Sequence, residues 1–222
     1  MKESIIKNFP KVDPLKIELI HWGVDKRFYT NKKDEALLEQ LKLGRNKKVF
    51  FCIRSMSSSY HKHEILKAFL SYKEKFKNSD LLLISSMQSY NNSNHYFDEL
   101  CNIIERSKFK EDIVIVDIAH KEMHKYLSVC DAVVSFSKTD GLSQSLMEAT
   151  ASKKFCFTYD NNNHKDIITH KDNGYYFKDM HGLEKAFSYK FDKKLKGYNV
   201  SLNKEEQTKK YLNICRKIIS QG

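Results

Sequence analysis

The chain has 222 residues, 41% of them hydrophobic and 30% charged, with a formal net charge of +11. A chain of this size buries enough apolar surface to fold around its own core without disulfide or metal staples. Its longest apolar runs, such as Ile113 to Val116, are far short of the roughly 18 residues that span a bilayer. The first 30 residues carry no hydrophobic signal core, so a cytoplasmic location is expected. Collagen, coiled coil and wholly disordered chain are excluded by composition.

The positive charge comes from 34 Lys and only 5 Arg. Readers of nucleic acid rely on Arg forks, so no nucleic-acid partner is expected. Scattered lysines fit a solvated surface, with attraction to phosphorylated ligands or to the anionic inner face of a membrane as the functional alternative. Cys52, Cys101, Cys130, Cys156 and Cys215 are far apart and form no C-x-x-C pair, as reduced thiols would. The nine histidines show no H-E-x-x-H and no ligand spacing with cysteine, so no metal is expected.

In chain order, Lys16 to His21 reads as a strand stopped by Gly23. Lys33 to Leu43 reads as a helix closed by Gly44. Lys48 to Arg54 is a buried strand. His63 to Phe76 is an amphipathic helix with Ile65, Phe69 and Tyr72 on one face. A strand over Asp80 to Ser85 is followed by a polar loop over 86–94, a helix over Tyr96 to Ser107 and a strand over Asp112 to Val116.

The alternation then continues. Lys121 to Val129 is helical, Asp131 to Phe136 a strand, Leu142 to Ser152 a helix and Lys154 to Tyr159 a strand. His164 to Thr169 reads as a short helix and Gly174 to Phe177 as a short strand or turn. Helices over His181 to Ser188 and Lys204 to Ile219 end the chain. Uniformly apolar strands alternating with helices predict an α/β fold, a Rossmann-like parallel sheet with helices on both faces. Such sheets bind ligands beyond the carboxyl ends of their strands, here near Arg54, Ser85, Asp117 and Ser137.

Glycine is rare, and Gly141 sits between a strand and a helix. A glycine there lets a ligand approach the backbone. The amides of Leu142, Ser143 and Gln144 would open the helix and offer a phosphate site. An ordinary Asp-Gly turn with a serine cap explains the same residues. Asp140 and Glu148 flank this loop. A carboxylate can accept from two vicinal hydroxyls of a ribose or hexose, while a cap and a satisfied helix residue are the structural alternatives.

Asp140 to Ala151 (DGLSQSLMEATA) resembles the E-x7-E segment of the family-4 (group 1) retaining glycosyltransferases of GT-B fold. Ile17 to Asp25 with Phe28 is similar to that family's N-G-V-D-x-x-F entry. Val49 to Arg54 resembles its strand ending in G-R, and Leu66 to Phe69 its helix segment l-x-A-F. Leu127 to Ser137 and Phe157 to Gly174 resemble its later signatures. The matches keep their order over roughly residues 16–178.

The resemblance implies one half of a GT-B fold, a single nucleotide-sugar-binding domain over 1–222 ending in the 204–219 helix. The half that binds the acceptor is expected to be absent, to be supplied by another domain or subunit. Arg54 with a nearby cation would neutralise the donor diphosphate. Asp140 would replace the first Glu, at the hexose. The backbone of Gly141, Leu142, Ser143 and Gln144 would hold the phosphates, and Glu148 the ribose. The backbone near Ile118 would face the base. The implied activity is retaining hexosyl transfer from a nucleotide-diphosphate sugar to a saccharide or lipid-linked acceptor, without a metal or other cofactor.

The chain departs from the family pattern at several positions. Ser59 stands where the family has its lysine, leaving Lys62 or His61 as substitutes. Trp22 replaces the usual Asn. The glycine near Lys153 and the proline near Phe155 are missing. A Rossmann-like domain that binds nucleotide or nucleic acid without transferring sugar is the alternative. A dehydrogenase is not expected, since no G-x-G-x-x-G follows any strand.

Overall fold

The computed structural model describes residues 2–20, 22–29, 32–44, 47–86, 94–192, 195 and 203–220. Helix α1 spans Lys2–Asn8, and α2 spans Glu35–Gln40 with the Asp34 carboxylate accepting from the Leu37 amide at its start. Strand β1 (Val49–Cys52) leads to α3 (Lys62–Phe76), and β2 (Leu81–Ser85) to α4 (Asn94–Glu105). Next come β3 (Ile113–Val116), α5 (Met123–Val129) and β4 (Ala132–Ser135). The chain continues through α6 (Gln144–Ala151), β5 (Phe155–Tyr159), β6 (Gly174–Phe177), α7 (Met180–Phe187) and α8 (Lys204–Ser220).

The six strands form one parallel sheet in the order β3-β2-β1-β4-β5-β6. Four of them are buried along their whole length or nearly so, which is why they read as continuous apolar runs. Successive residues face opposite layers. Val49, Phe51, Leu83 and Val133 pack with Leu127, Leu146 and Met147 on one face. Phe50, Cys52, Leu82, Val134 and Phe157 pack with Leu66, Phe69 and Phe187 on the other. The predicted α/β sheet covered on both faces is therefore observed, and Ile65, Phe69 and Tyr72 are buried as expected.

Strand order reverses between β1 and β4. The chain leaves β1 toward β2 on one side and enters β4 on the other, opening a crevice at their carboxyl ends. Arg54 lies just beyond β1 and Ser137 just beyond β4, so the site described below sits at this switch point.

Several local expectations change. The described part of Lys16 to His21 is not a strand; His21 lies outside the described residues, as does most of the 86–94 loop. Leu15 and Leu19 are exposed and unpaired with the sheet. Gly23 passes against the start of α8: a Cβ there would lie 2.6 Å from the Asn203 carbonyl oxygen. The Gly23 amide donates to Gln207 Oε1 at 2.8 Å, tying the two segments together. No residue of α8 is buried; Leu212, Ile218 and Ile219 are exposed and Ile214 half-buried, as expected for a helix with an unpartnered apolar side. The short helix read over 164–169 is a single 3-10 turn at Asn162–His164.

Helix α2 is not closed by Gly44. The closing residue is Lys42, at φ 52°, with the Leu43 amide reaching back to Leu38 O. Helix α6 ends the same way on Lys153, at φ 54°, with Lys154 N bonded to Ala149 O at 2.9 Å and Lys153 N to Thr150 O at 3.0 Å. This is the six-to-one closure that favours glycine. The glycine missing from the family pattern near 153 is thus missing at a position whose backbone still adopts the left-handed geometry. Lys153→Gly should raise unfolding stability by about 0.5–1 kcal/mol, read by urea denaturation at constant m-value; a loss of stability would show that the left-handed turn carries no cost here.

Candidate functional site

The crevice is organised around one guanidinium. Arg54 Nη1 donates to Ser143 Oγ at 2.6 Å and to Ser145 Oγ at 3.4 Å. Its Nη2 donates to Tyr60 Oη at 2.8 Å and pairs with Asp140 Oδ2 at 3.1 Å. The guanidinium also lies over the Tyr60 ring, 4.2 Å from its centroid. The Arg54 side chain is 12% exposed and that of Asp140 20%. A planar fork can hold several partners at once in this way, where a lysine could not.

The loop that carries Asp140 is fixed from outside. Its backbone carbonyl accepts from Asn161 Nδ2 at 2.8 Å and from Asn163 Nδ2 at 2.9 Å. Beyond it, α6 begins at Gln144 rather than at Leu142. Ser143 is the N-cap, its Oγ accepting from the Leu146 amide as well as from Arg54. Among the described residues, none accepts from the amides of Gly141, Leu142, Ser143 or Gln144. A Cβ built on Gly141 would meet nothing within 4 Å, so the space over this backbone is open. Open amides at a helix N-terminus beside a cation form an anion site.

The amides that open α3 at this edge are already capped. The Tyr96 phenol oxygen accepts from the amides of Lys62 at 2.8 Å and His63 at 3.3 Å. Burial pushes the Tyr96 pKa up to about 12, so the phenol stays neutral. The start of α3 is thus occupied, while the α6 amides stay open.

Lys62 and His61 are placed differently from expectation. Lys62 is fully buried, its ammonium donating to Ser85 O at 2.9 Å and Cys52 O at 3.4 Å, with Cys52 Sγ at 3.6 Å. It closes the carboxyl ends of β1 and β2 from beneath instead of facing solvent. Burial pushes its pKa down, against the Cys52 thiol and with the help of the Arg54 charge. His61, at φ 48°, turns its Nδ1 to Glu64 Oε1 at 3.0 Å and its ring toward Phe136. Neither touches Arg54 through a described hydrogen bond. Tyr60, which the sequence did not single out, takes the cation's place beside the guanidinium.

Glu148 lies about one turn into α6 with its side chain 3% exposed. Its Oε1 accepts from Gln144 Nε2 at 3.2 Å and lies 3.0 Å from His120 Nε2. Ile118 is buried in the core, so only its backbone can face a ligand. Thus Arg54, Asp140, Gly141, Ser143 and Gln144 come together as read, with Glu148 at the far end. Ser145 joins them from the first turn of α6, and Tyr60, His120, Asn161 and Asn163 from turns with no local motif to announce them.

The wider chain can be compared with known proteins. The model of a family described as glycosyl transferases group 1 matches residues 33–211. A glycosyltransferase from Rickettsia africae ESF-5 is similar in structure at 15% identity and a TM-score of 0.81, over 99% of this chain and 62% of that one. Anabaena HepE in complex with UDP and glucose is similar at 16% identity and 0.68, over 84% and 49%. The C-terminal domain of a group 1 glycosyl transferase (LpcC) from Francisella tularensis is similar at 18% and 0.62, over 85% and 98%. No curated protein sequence matches significantly. At such identities the likeness is one of fold: the sheet corresponds to one Rossmann-like half of a GT-B glycosyltransferase. The chain spans about half to three-fifths of the two longer proteins.

One buried histidine near the site gives a pH test. His164 is fully buried, Nδ1 lies 2.9 Å from Thr158 Oγ1, and Nε2 has no hydrogen-bond partner. Burial pushes its pKa below the ordinary 6.5, and the Asp140 charge only partly opposes this. The unfolded chain therefore binds the proton first as pH falls, so stability contributed by the neutral imidazole is full above about 6.5 and lost below it. Between about pH 7 and 5 the wild type should lose more stability than His164→Gln, measured by denaturant midpoints; parallel curves would show that the imidazole titrates alike in both states.

Proposed function

The chain belongs to the group 1 glycosyl transferases, and from that membership we propose that it is the donor-binding half of a retaining hexosyltransferase. The donor is a nucleotide-diphosphate sugar, and the acceptor a saccharide or lipid-linked saccharide bound by a second domain or subunit. One observation carries this reading: Arg54 and Asp140 meet at the open N-terminus of α6, with Glu148 buried about one turn further on. The complex of Anabaena HepE with UDP and glucose supports a uridine donor as the first to test.

The chemistry follows from charge. Cleaving the sugar–phosphate bond leaves negative charge on the departing diphosphate. The Arg54 guanidinium and the amides of 141–144 stabilise that charge more in the transition state than in the ground state, which lowers the barrier. The diphosphate takes up Nη protons now directed at the two serines and displaces the Asp140 ion pair. Asp140, released from the pair, faces the hexose. Glu148 accepts from ribose hydroxyls. Lys62 supports the site from below by its field rather than by contact. The mechanism uses no metal. Location at the inner face of a membrane is consistent with a lipid-linked acceptor and the lysine-rich surface.

Two binding predictions test the donor site by calorimetry with UDP, GDP and ADP. Glu148→Ala should weaken the best binder by about 1.5–3 kcal/mol, the scale of charge-assisted hydrogen bonds. Gly141→Ala should leave stability within about 0.5 kcal/mol, because its Cβ enters open space, yet reduce affinity, because that space is the ligand's. Wild-type protein that binds none of the three at millimolar concentration would defeat the reading.

A third prediction concerns turnover once the acceptor half is supplied. Arg54→Ala should lower kcat/KM by ~10²-fold or more, as loss of an oxyanion donor does. The anomeric configuration of the product, assigned by NMR, should be retained; an inverted product would remove the proposed mechanism.

A further inference from the structure

The nucleoside end of this site is braced by a segment to which the resemblance gives no role in binding. Lys26–Tyr29 form one 3-10 turn, and its side chains reach two other elements. Arg27 Nη1 donates to the Lys121 carbonyl at 3.1 Å. The Phe28 ring lies 6.4 Å from the His120 ring and 6.2 Å from that of His124. Ser152, just past α6, donates its hydroxyl to Phe28 O at 2.8 Å. The turn therefore fixes the His120–Glu122 turn relative to α6.

What this bracing presents is His120, with its Nε2 3.0 Å from Glu148 Oε1. His120 is 58% exposed and reaches inward, while Glu148 is buried. A buried carboxylate is unstable without donors, and Gln144 Nε2 supplies the second one to the same oxygen. Two donors on one oxygen set the carboxylate's rotation about its terminal bond.

We propose that His120 is the positioning residue of the ribose subsite. It occupies Oε1 and so turns Oε2 of Glu148 toward a ribose hydroxyl of the nucleoside diphosphate. This rests on the nucleotide-sugar reading above and adds to it a residue and a discrimination, ribose over 2′-deoxyribose. Arg27 and Phe28 act one step further out, by holding the turn that bears His120.

The test is calorimetry on the full chain with UDP, GDP and ADP, each beside its 2′-deoxy counterpart. For the diphosphate that binds best, the wild type should prefer the ribonucleotide. His120→Ala should weaken ribonucleotide binding about five- to twentyfold, with less than a twofold change for the 2′-deoxy form, so the preference collapses. His120→Gln, which keeps an N–H donor, should restore most of it, and Arg27→Ala should lie between. Thermal melts check folding, and an exposed histidine gives little reason for loss. Equal weakening of both forms, or none of either, overturns the inference while leaving the donor site standing. A wild type that binds no diphosphate overturns the donor reading itself, and this inference with it.

Discussion

The Arg54 guanidinium is the constraint on which the rest of the crevice depends. Four hydrogen-bonding or ionic partners and one aromatic face hold it, and they come from three separate stretches of chain: Tyr60 before α3, Asp140 in the loop after β4, and Ser143 and Ser145 at the start of α6. A cation beside these elements fixes their spacing, because each distance is set by the same rigid fork. The strand reversal between β1 and β4 makes this possible by bringing residue 54 and residues 140–145 to one crevice. Asn161 and Asn163 extend the fixation to the chain after β5 by gripping the Asp140 carbonyl.

Beneath this fork lies a second cation of another kind. Lys62 is buried against neutral acceptors at the ends of β1 and β2. An ammonium in such surroundings is held by dipoles alone, and its lowered pKa records the cost. It helps to align the strand ends on which Arg54 and the 86–94 connection depend, so its proximity in sequence to the family's lysine position does not make it an equivalent contact. Among the described residues, Arg54 is the cation in contact with the α6 N-terminal loop.

The fold was legible where burial is two-sided. Strands such as Phe50–Cys52 and Leu82–Ile84 have apolar residues at successive positions because each face meets a helical layer. The segment 16–21 shows the opposite case: its alternation is that of a strand, but pairing depends on a vacant neighbour, which no local pattern records. In the site, Arg54, Asp140 and Glu148 were legible through spacing along one strand end and one helix. Tyr60, His120, Asn161 and Asn163 were not, because each reaches the site across the sheet edge from its own loop. Lys62 was misplaced because the sequence shows its charge but not which side of Arg54 its stem descends.

Substitution of the family pattern around Arg54 is coherent when its parts are taken together. With Ser at 59 the site lacks one mobile cation, and Tyr60 instead binds the remaining cation by both ring and hydroxyl. A rigid donor array gains less Coulomb energy than two cations would, but it needs no reorganisation as charge develops. The shorter carboxylate of Asp140 suits this arrangement, since it stays on the guanidinium and keeps a largely buried charge paired when no anion is bound. Under the proposed function, an entering diphosphate would exchange one anion for another at Nη2, with the desolvation of Arg54 already met. On that proposal the α6 amides would carry the additional negative charge, which would place the weight of binding on the open backbone over Gly141.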